Sequence, residues 1–140
     1  MPTFVYGLGG GDTINATGMT SSLWVAAGPG GGDTLTGGTG ADRYMSSNVN
    51  DSPASAMDLV TNFNAGSNLL DFSGISNGLK YQGSVAAGGT INAGSIAWQQ
   101  SGGDTCVYVN TGSSSASLSA AGMAIELQGT IALAAKNFVV

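Results

Sequence analysis

Two aspartates nine residues apart, Asp33 and Asp42, each close a glycine-rich turn. The stretch Gly28-Pro29-Gly30-Gly31-Gly32-Asp33-Thr34-Leu35-Thr36 runs directly into Gly37-Gly38-Thr39-Gly40-Ala41-Asp42-Arg43-Tyr44-Met45. Both follow one nine-residue unit, G-G-x-G-x-D-x-U-x, where U is a large apolar residue, with Pro29 at the second glycine position of the first. Glycine accepts positive φ, so such a turn wraps tightly and can aim carbonyl oxygens inward. The aspartate at its end adds hard carboxylate oxygens. Carbonyl and carboxylate oxygens together suit a hard cation such as calcium (Ca2+), which takes about six to eight of them at roughly 2.3–2.6 Å. One turn cannot complete that shell, so neighbouring turns must stack with ions between them.

The elements that must position these turns are short. Leu35 and Tyr44, two places after each aspartate, are the core-facing residues of short strands. A third copy of the unit, Gly7-Leu8-Gly9-Gly10-Gly11-Asp12-Thr13-Ile14-Asn15, has Leu8 where glycine is usual and supplies Asp12. Asp12 lies 21 residues before Asp33, where two periods would be 18. A degenerate coil with about three extra residues therefore sits between, its strand at Leu23-Trp24-Val25 and its turn at Gly18. After Met45, Ser46 to Asp51 has the length of one more turn and ends in an acid. Asp58-Leu59-Val60-Thr61-Asn62-Phe63 reads as a strand opened by an acid, with Pro53 in the loop before it.

Beyond residue 66 the texture changes. Leu69-Leu70-Asp71-Phe72 is a short strand or turn. Ser95 to Gln100 and Thr105 to Asn110 predict a hairpin around Ser101-Gly102-Gly103-Asp104, with Trp98 opposite Val107 and Ile96 opposite Val109. Further strands are expected at 123–128 and 131–133, and at most a turn or two of helix around 132–136.

Composition limits what such a chain can do. Of 140 residues, 42% are apolar and spread along the chain, so this is no disordered linker. Only Arg43, Lys80 and Lys136 are basic and the net charge is −5, which argues against nucleic acid and against anionic membrane surfaces. No apolar run approaches the ~20 residues of a membrane span, so membrane insertion is not expected. The residues after Met1 lack the basic and apolar regions of a secretory signal peptide. The single cysteine, Cys106, forms no intrachain disulfide and reads as a small buried hydrophobe. With no histidine anywhere, a Cys–His pair is impossible. The glycine runs are not phosphate loops, because no Gly-Lys-Ser/Thr follows them. Glu126 with Asp71 or Asp104 would be the carboxylate pair of a glycosidase, but each has a simpler place in a turn or loop. Trp24, Trp98, Tyr81 and Tyr108 are the aromatics that could stack on a sugar. The sequence predicts no enzyme.

The nine-residue unit is similar to the calcium-binding repeat of RTX proteins. From Gly37 to Val140 the order of motifs resembles the C-terminal region of RTX proteins exported by type I secretion. Gly37 to Asp51, Asp58 to Phe63 and Asn68-Leu69-Leu70-Asp71-Phe72-Ser73-Gly74-Ile75 resemble the junction segment of serralysin-type tails. Gly102 to Asn110 and Ile125 to Leu133 resemble the tails of RTX-type surface-layer proteins. The ending Asn137-Phe138-Val139-Val140 is similar to that family's terminal secretion motif, with Asn137 where an acid is usual.

The resemblance implies an all-β fold. A Ca-bound parallel β-roll in residues 1–52 would continue into an antiparallel β-sandwich cap in 53–140, as one structural unit. It implies calcium held by Asp12, Asp33, Asp42, Asp51 and Asp58, with the carbonyls of Gly28, Gly30, Gly37 and Thr39 completing the shells. Asp33 would share an ion with the turn ending at Asp51, and Asp42 with Asp58. It implies a secreted or cell-surface structural module whose partner is a type I secretion transporter, with self-association or a cell-surface glycan as further partners. A glycan-binding or stabilising C-terminal module of a secreted hydrolase or epimerase is the alternative. The zinc motif of the serralysin protease domain (H-E-x-x-H) is absent, so protease chemistry does not transfer.

Overall fold

The computed structural model describes residues 2–76 and 78–140. Among the described residues the fold has fourteen short strands: β1 Thr3–Tyr6, β2 Thr13–Asn15, β3 Leu23–Ala26, β4 Thr34–Thr36, β5 Arg43–Met45, β6 Asp58–Val60, β7 Leu69–Asp71, β8 Lys80–Ser84, β9 Thr90–Ile91, β10 Ser95–Ser101, β11 Asp104–Asn110, β12 Ala116–Ser117, β13 Met123–Leu127 and β14 Phe138–Val139. Among the described residues the helical ones are single 3₁₀ turns, at Val49–Asp51, Leu118–Ala120 and Ala135–Asn137.

Through β7 the chain alternates between two sheets, strand by strand. The first sheet has the order β1-β3-β5-β7-β14, all parallel; the second begins β2-β4-β6, also parallel. This is the expected β-roll. Its strands are only three or four residues long because each needs just one or two inward side chains. Val25, Tyr44, Leu70 and Phe138 stand in register across the first sheet. Ile14, Leu35, Val60 and Leu127 do the same across the second. These two columns face each other and form the core; all but Ile14 are buried. Each such side chain stabilises the fold by about 1.5–3 kcal/mol relative to exposure.

The parallel ladders run on past residue 52, through β6 and β7. The antiparallel part is not a sheet of its own. β13 pairs with β6 in parallel, β11 and β10 follow antiparallel, and β8 closes the edge, so the second sheet reads β2-β4-β6-β13-β11-β10-β8. Ser52 stitches the seam. Its hydroxyl donates to the Ala124 carbonyl and accepts from Asp58 N at 2.8 Å, while its own carbonyl accepts from Ala124 N.

The hairpin has the predicted register, Trp98 opposite Val107 and Ile96 opposite Val109. Its loop is shorter than expected. Ser101 pairs with Asp104, leaving Gly102 (φ 63°) and Gly103 (φ 88°) as a two-residue turn. Positive φ at both central positions matches the twist of the flanking strands, and glycine supplies it without strain. The strand expected at 131–133 does not form. There Thr105 Oγ1 accepts from Ile131 N at 2.9 Å and donates to the Gly129 carbonyl at 2.9 Å, so a side chain replaces the ladder.

Candidate metal centre

The turns leading from the first sheet to the second (residues 7–12, 28–33 and 46–57) lie along one edge of the roll. The turns leading back (16–22, 37–42 and 61–68) lie along the other. Strand register sets which aspartates meet. Asp12, Asp33 and Asp58 fall in one column on the first edge. Asp33 Oδ1 accepts from Asp12 N at 2.6 Å, and Asp58 Oδ1 accepts from Asp33 N at 3.0 Å. On the second edge Asp42 Oδ1 accepts from Leu23 N at 3.1 Å. Each carboxylate therefore reaches back to the coil before its own.

The other oxygens of three of these carboxylates are orphans. Asp12 Oδ2, Asp33 Oδ2 and Asp42 Oδ2 are buried without a hydrogen-bond partner. A buried, unpartnered polar atom costs about 1–3 kcal/mol, and more if charged. Three of them, each at the end of a glycine turn, form a donor set that a hard cation would satisfy. The turns also pack too closely for side chains. Gly28 (φ 93°) and Gly30 (φ 123°) are left-handed, and a Cβ on Gly30 would lie 2.6 Å from Gly10 N. A Cβ on Gly37 would strike the Asp42 carboxylate and the Tyr44 hydroxyl. Among the described residues the carbonyls of Gly28, Gly30 and Thr39 accept no hydrogen bond, whereas that of Gly37 accepts one from Asn62. Among the same residues no three acidic, histidine or cysteine side chains converge on one point. A cation here would depend on backbone carbonyls for most of its shell.

The electrostatics agree with an acceptor-rich site. Burial pushes the Asp58 carboxyl up to about 7, aided by the charges of Asp33 and Asp51 and opposed by the Asp33 N–H. Burial also raises Asp42, against the lowering pull of the Leu23 N–H and the neighbouring Gly38 N–H. Tyr44 is pushed up by burial and then by the adjacent Asp42.

The implied pairings fare differently. Asp42 and Asp58 lie on opposite edges and are not brought together. Asp33 N donates to Asp58, the first residue of β6, and not to Asp51. Asp51 caps the 3₁₀ turn instead, its Oδ2 accepting from Ser47 N at 2.8 Å and Asn48 N at 3.1 Å. The cause is length. The 46–57 turn has twelve residues where the glycine units have six, and the insertion carries Asp51 out of the column and Asp58 into it.

Two residues of this region escape a search for carboxylates. Asn68 occupies the column of Asp42, and Asn62 bonds both polar atoms of Gly37. Their signal is positional: Asn68 precedes Leu69-Leu70 as Asp42 precedes Arg43-Tyr44.

The remaining candidates are placed as follows. Asp104 Oδ1 accepts from Gly129 N at 2.9 Å, and Asp71 is spent on Arg43 at 3.3 Å and on Ser73. Trp98 Nε1 donates to the Tyr81 hydroxyl at 3.0 Å, and Trp24 faces outward under the Arg43 guanidinium. Of the terminal residues, Asn137 is buried and its side chain bonds Ala134 N, Ala65 O and Asn68 O. Phe138 is buried against Phe72 and Tyr81, whereas Val140 is exposed.

Two sheets whose parallel strands are joined by stacked glycine–aspartate turns, one of them extended by a hairpin, define a repeat-built β module; among the described residues no helix is long and apolar enough to cross a membrane. The family model described as Peptidase M10 serralysin C terminal matches residues 5–140, and the chain belongs to that family. A comparison with curated proteins finds no match. The family is the non-catalytic C-terminal part of serralysin-type proteases.

Proposed function

We propose that the chain is a calcium-binding, non-catalytic structural module of a secreted or cell-surface protein, exported by a type I transporter and folded by calcium outside the cell. The observation that carries this reading is the set of orphaned buried oxygens on Asp12, Asp33 and Asp42, each at the end of a glycine-rich turn. Bound calcium would supply positive charge to neutralise these carboxylates and a partner for the free turn carbonyls. The chain's residues do the rest. The aspartates tie each turn to the one before, the glycines allow close stacking, and the apolar columns hold the sheets in register. Because the unfolded chain has no such site, binding energy becomes folding energy.

Far-UV circular dichroism tests it. Millimolar calcium is expected to raise both the β signal and the melting temperature. A melt unchanged between excess EDTA and millimolar calcium would sink the reading.

A further inference from the structure

Four gaps separate successive turns on the two edges of the roll. Across three of them an aspartate reaches back: Asp33 to Asp12 N, Asp58 to Asp33 N, and Asp42 to Leu23 N. The fourth, between turns 37–42 and 61–68, is different. There the reaching residue is Asn68, whose Oδ1 accepts from Asp42 N at 3.1 Å. A second amide closes the same gap. Asn62 Oδ1 accepts from Gly37 N at 2.8 Å, and Asn62 Nδ2 donates to the Gly37 carbonyl at 2.8 Å. Beside it the hydroxyls of Thr36 and Thr61 are 2.7 Å apart. On the far side Asn137 Nδ2 donates to the carbonyls of Ala65 and Asn68.

The chemistry of these groups differs in kind. An ionised carboxylate only accepts, and a cation can satisfy only acceptors. An amide donates and accepts at once. Paired with both polar atoms of one peptide, it leaves neither the N–H nor the C=O wanting and brings no charge that needs neutralising. The Gly37 carbonyl, which the repeat pattern would offer to an ion, is already engaged. We infer that Asn62 stands in for a cation in this gap, so that the last turn pair of the second edge is stapled by amides and the ions are confined to the other three gaps.

The confinement of ions rests on the calcium reading above; the staple does not. It predicts that the coil holding β6 and β7 stays joined to the coil holding β4 and β5 when calcium is removed.

The test compares wild type, Asn62→Ala and the double variant Asn62→Asp/Asn68→Asp. Ions are counted by native mass spectrometry in calcium, and melts are run in calcium and in EDTA. Asn62→Ala is expected to lower the melting temperature by a similar amount in both media and to leave the ion count unchanged. The double variant should gain one ion and melt below wild type in EDTA. Loss of an ion in Asn62→Ala, or an EDTA melt that this substitution does not lower, would overturn the inference. If wild type binds no calcium, the calcium reading fails, and the EDTA melt of Asn62→Ala still decides the staple.

Discussion

Asp58 shows what burying a carboxylate in these turns costs. It is almost fully buried and faces the charges of Asp33 and Asp51. Its carboxyl titrates near 7 in the folded chain, against 3.8 in a free one. Between those values the folded state holds a proton the unfolded state has lost. Without calcium, stability should therefore fall as pH rises from about 4 to about 7, by up to about 1.4 kcal/mol per unit from this group. Below that window both states are protonated and the cost vanishes; above it the cost is complete. Melts in EDTA across this range should show the slope, and Asp58→Asn should flatten it. Saturating calcium should flatten it too, because the ion favours the ionised form. At this scale the glycine–aspartate pattern marked Asp12, Asp33 and Asp42, because charge and spacing coincide, whereas Asp58 was marked only as an acid opening a strand. Ser52, Asn62 and Asn68 were not legible, since a neutral side chain reveals its role only when register brings a partner to it.

Among the elements, β14 is the one whose role the sequence and the structure describe differently. As sequence it resembles an export motif. In the fold Phe138 continues the apolar column of Val25, Tyr44 and Leu70, and β14 closes the first sheet beside β7. Phe138→Ala removes a buried ring packed on Phe72 and Tyr81, and should cost about 3–5 kcal/mol in thermal or denaturant melts. Val140→Asp, at an exposed position, should leave the melt in place. If the terminal residues address the chain to a transporter, Val140→Asp should instead lower the amount exported. The elements themselves were largely readable. Alternation located β3, β4, β5 and the β10–β11 hairpin, because each strand carries a clear inward residue. Their partners were not readable, because parallel pairing joins strands about twenty residues apart and leaves no local trace. Ile131 to Leu133 misled for the same reason: an apolar alternation is necessary for a strand, but the ladder went to Thr105.

The whole molecule divides by how its parts are held. The N-terminal coils contain the three gaps bridged by aspartates, while β8 to β13 are joined by long ladders and apolar packing. The two tryptophans report these parts separately, Trp24 on β3 and Trp98 on β10. In EDTA, a Trp98→Phe variant should show a solvated Trp24 spectrum, and a Trp24→Phe variant a native-like Trp98 spectrum. Asp42→Ala should raise the calcium midpoint read by Trp24. Glu126→Gln, on β13 away from the turns, should not. Equal shifts from both substitutions would place the ions elsewhere.

The order of the first sheet, β1-β3-β5-β7-β14, also fixes how the molecule would bear a load. The first and last strands occupy opposite edges, four strand spacings or about 19 Å apart. Tension applied between the two ends therefore acts mainly across the strands, parting hydrogen bonds one rung at a time, not along them in shear. In a stack held by nearest neighbours, the outermost unit yields first. At the N-terminal edge that unit is β1 with the 7–12 turn, which holds Asp12. Its departure opens the gap to Asp33 before any other, so a pull at the N-terminal edge would release ions singly, in order along the roll, and would reach the amide-stapled coil last.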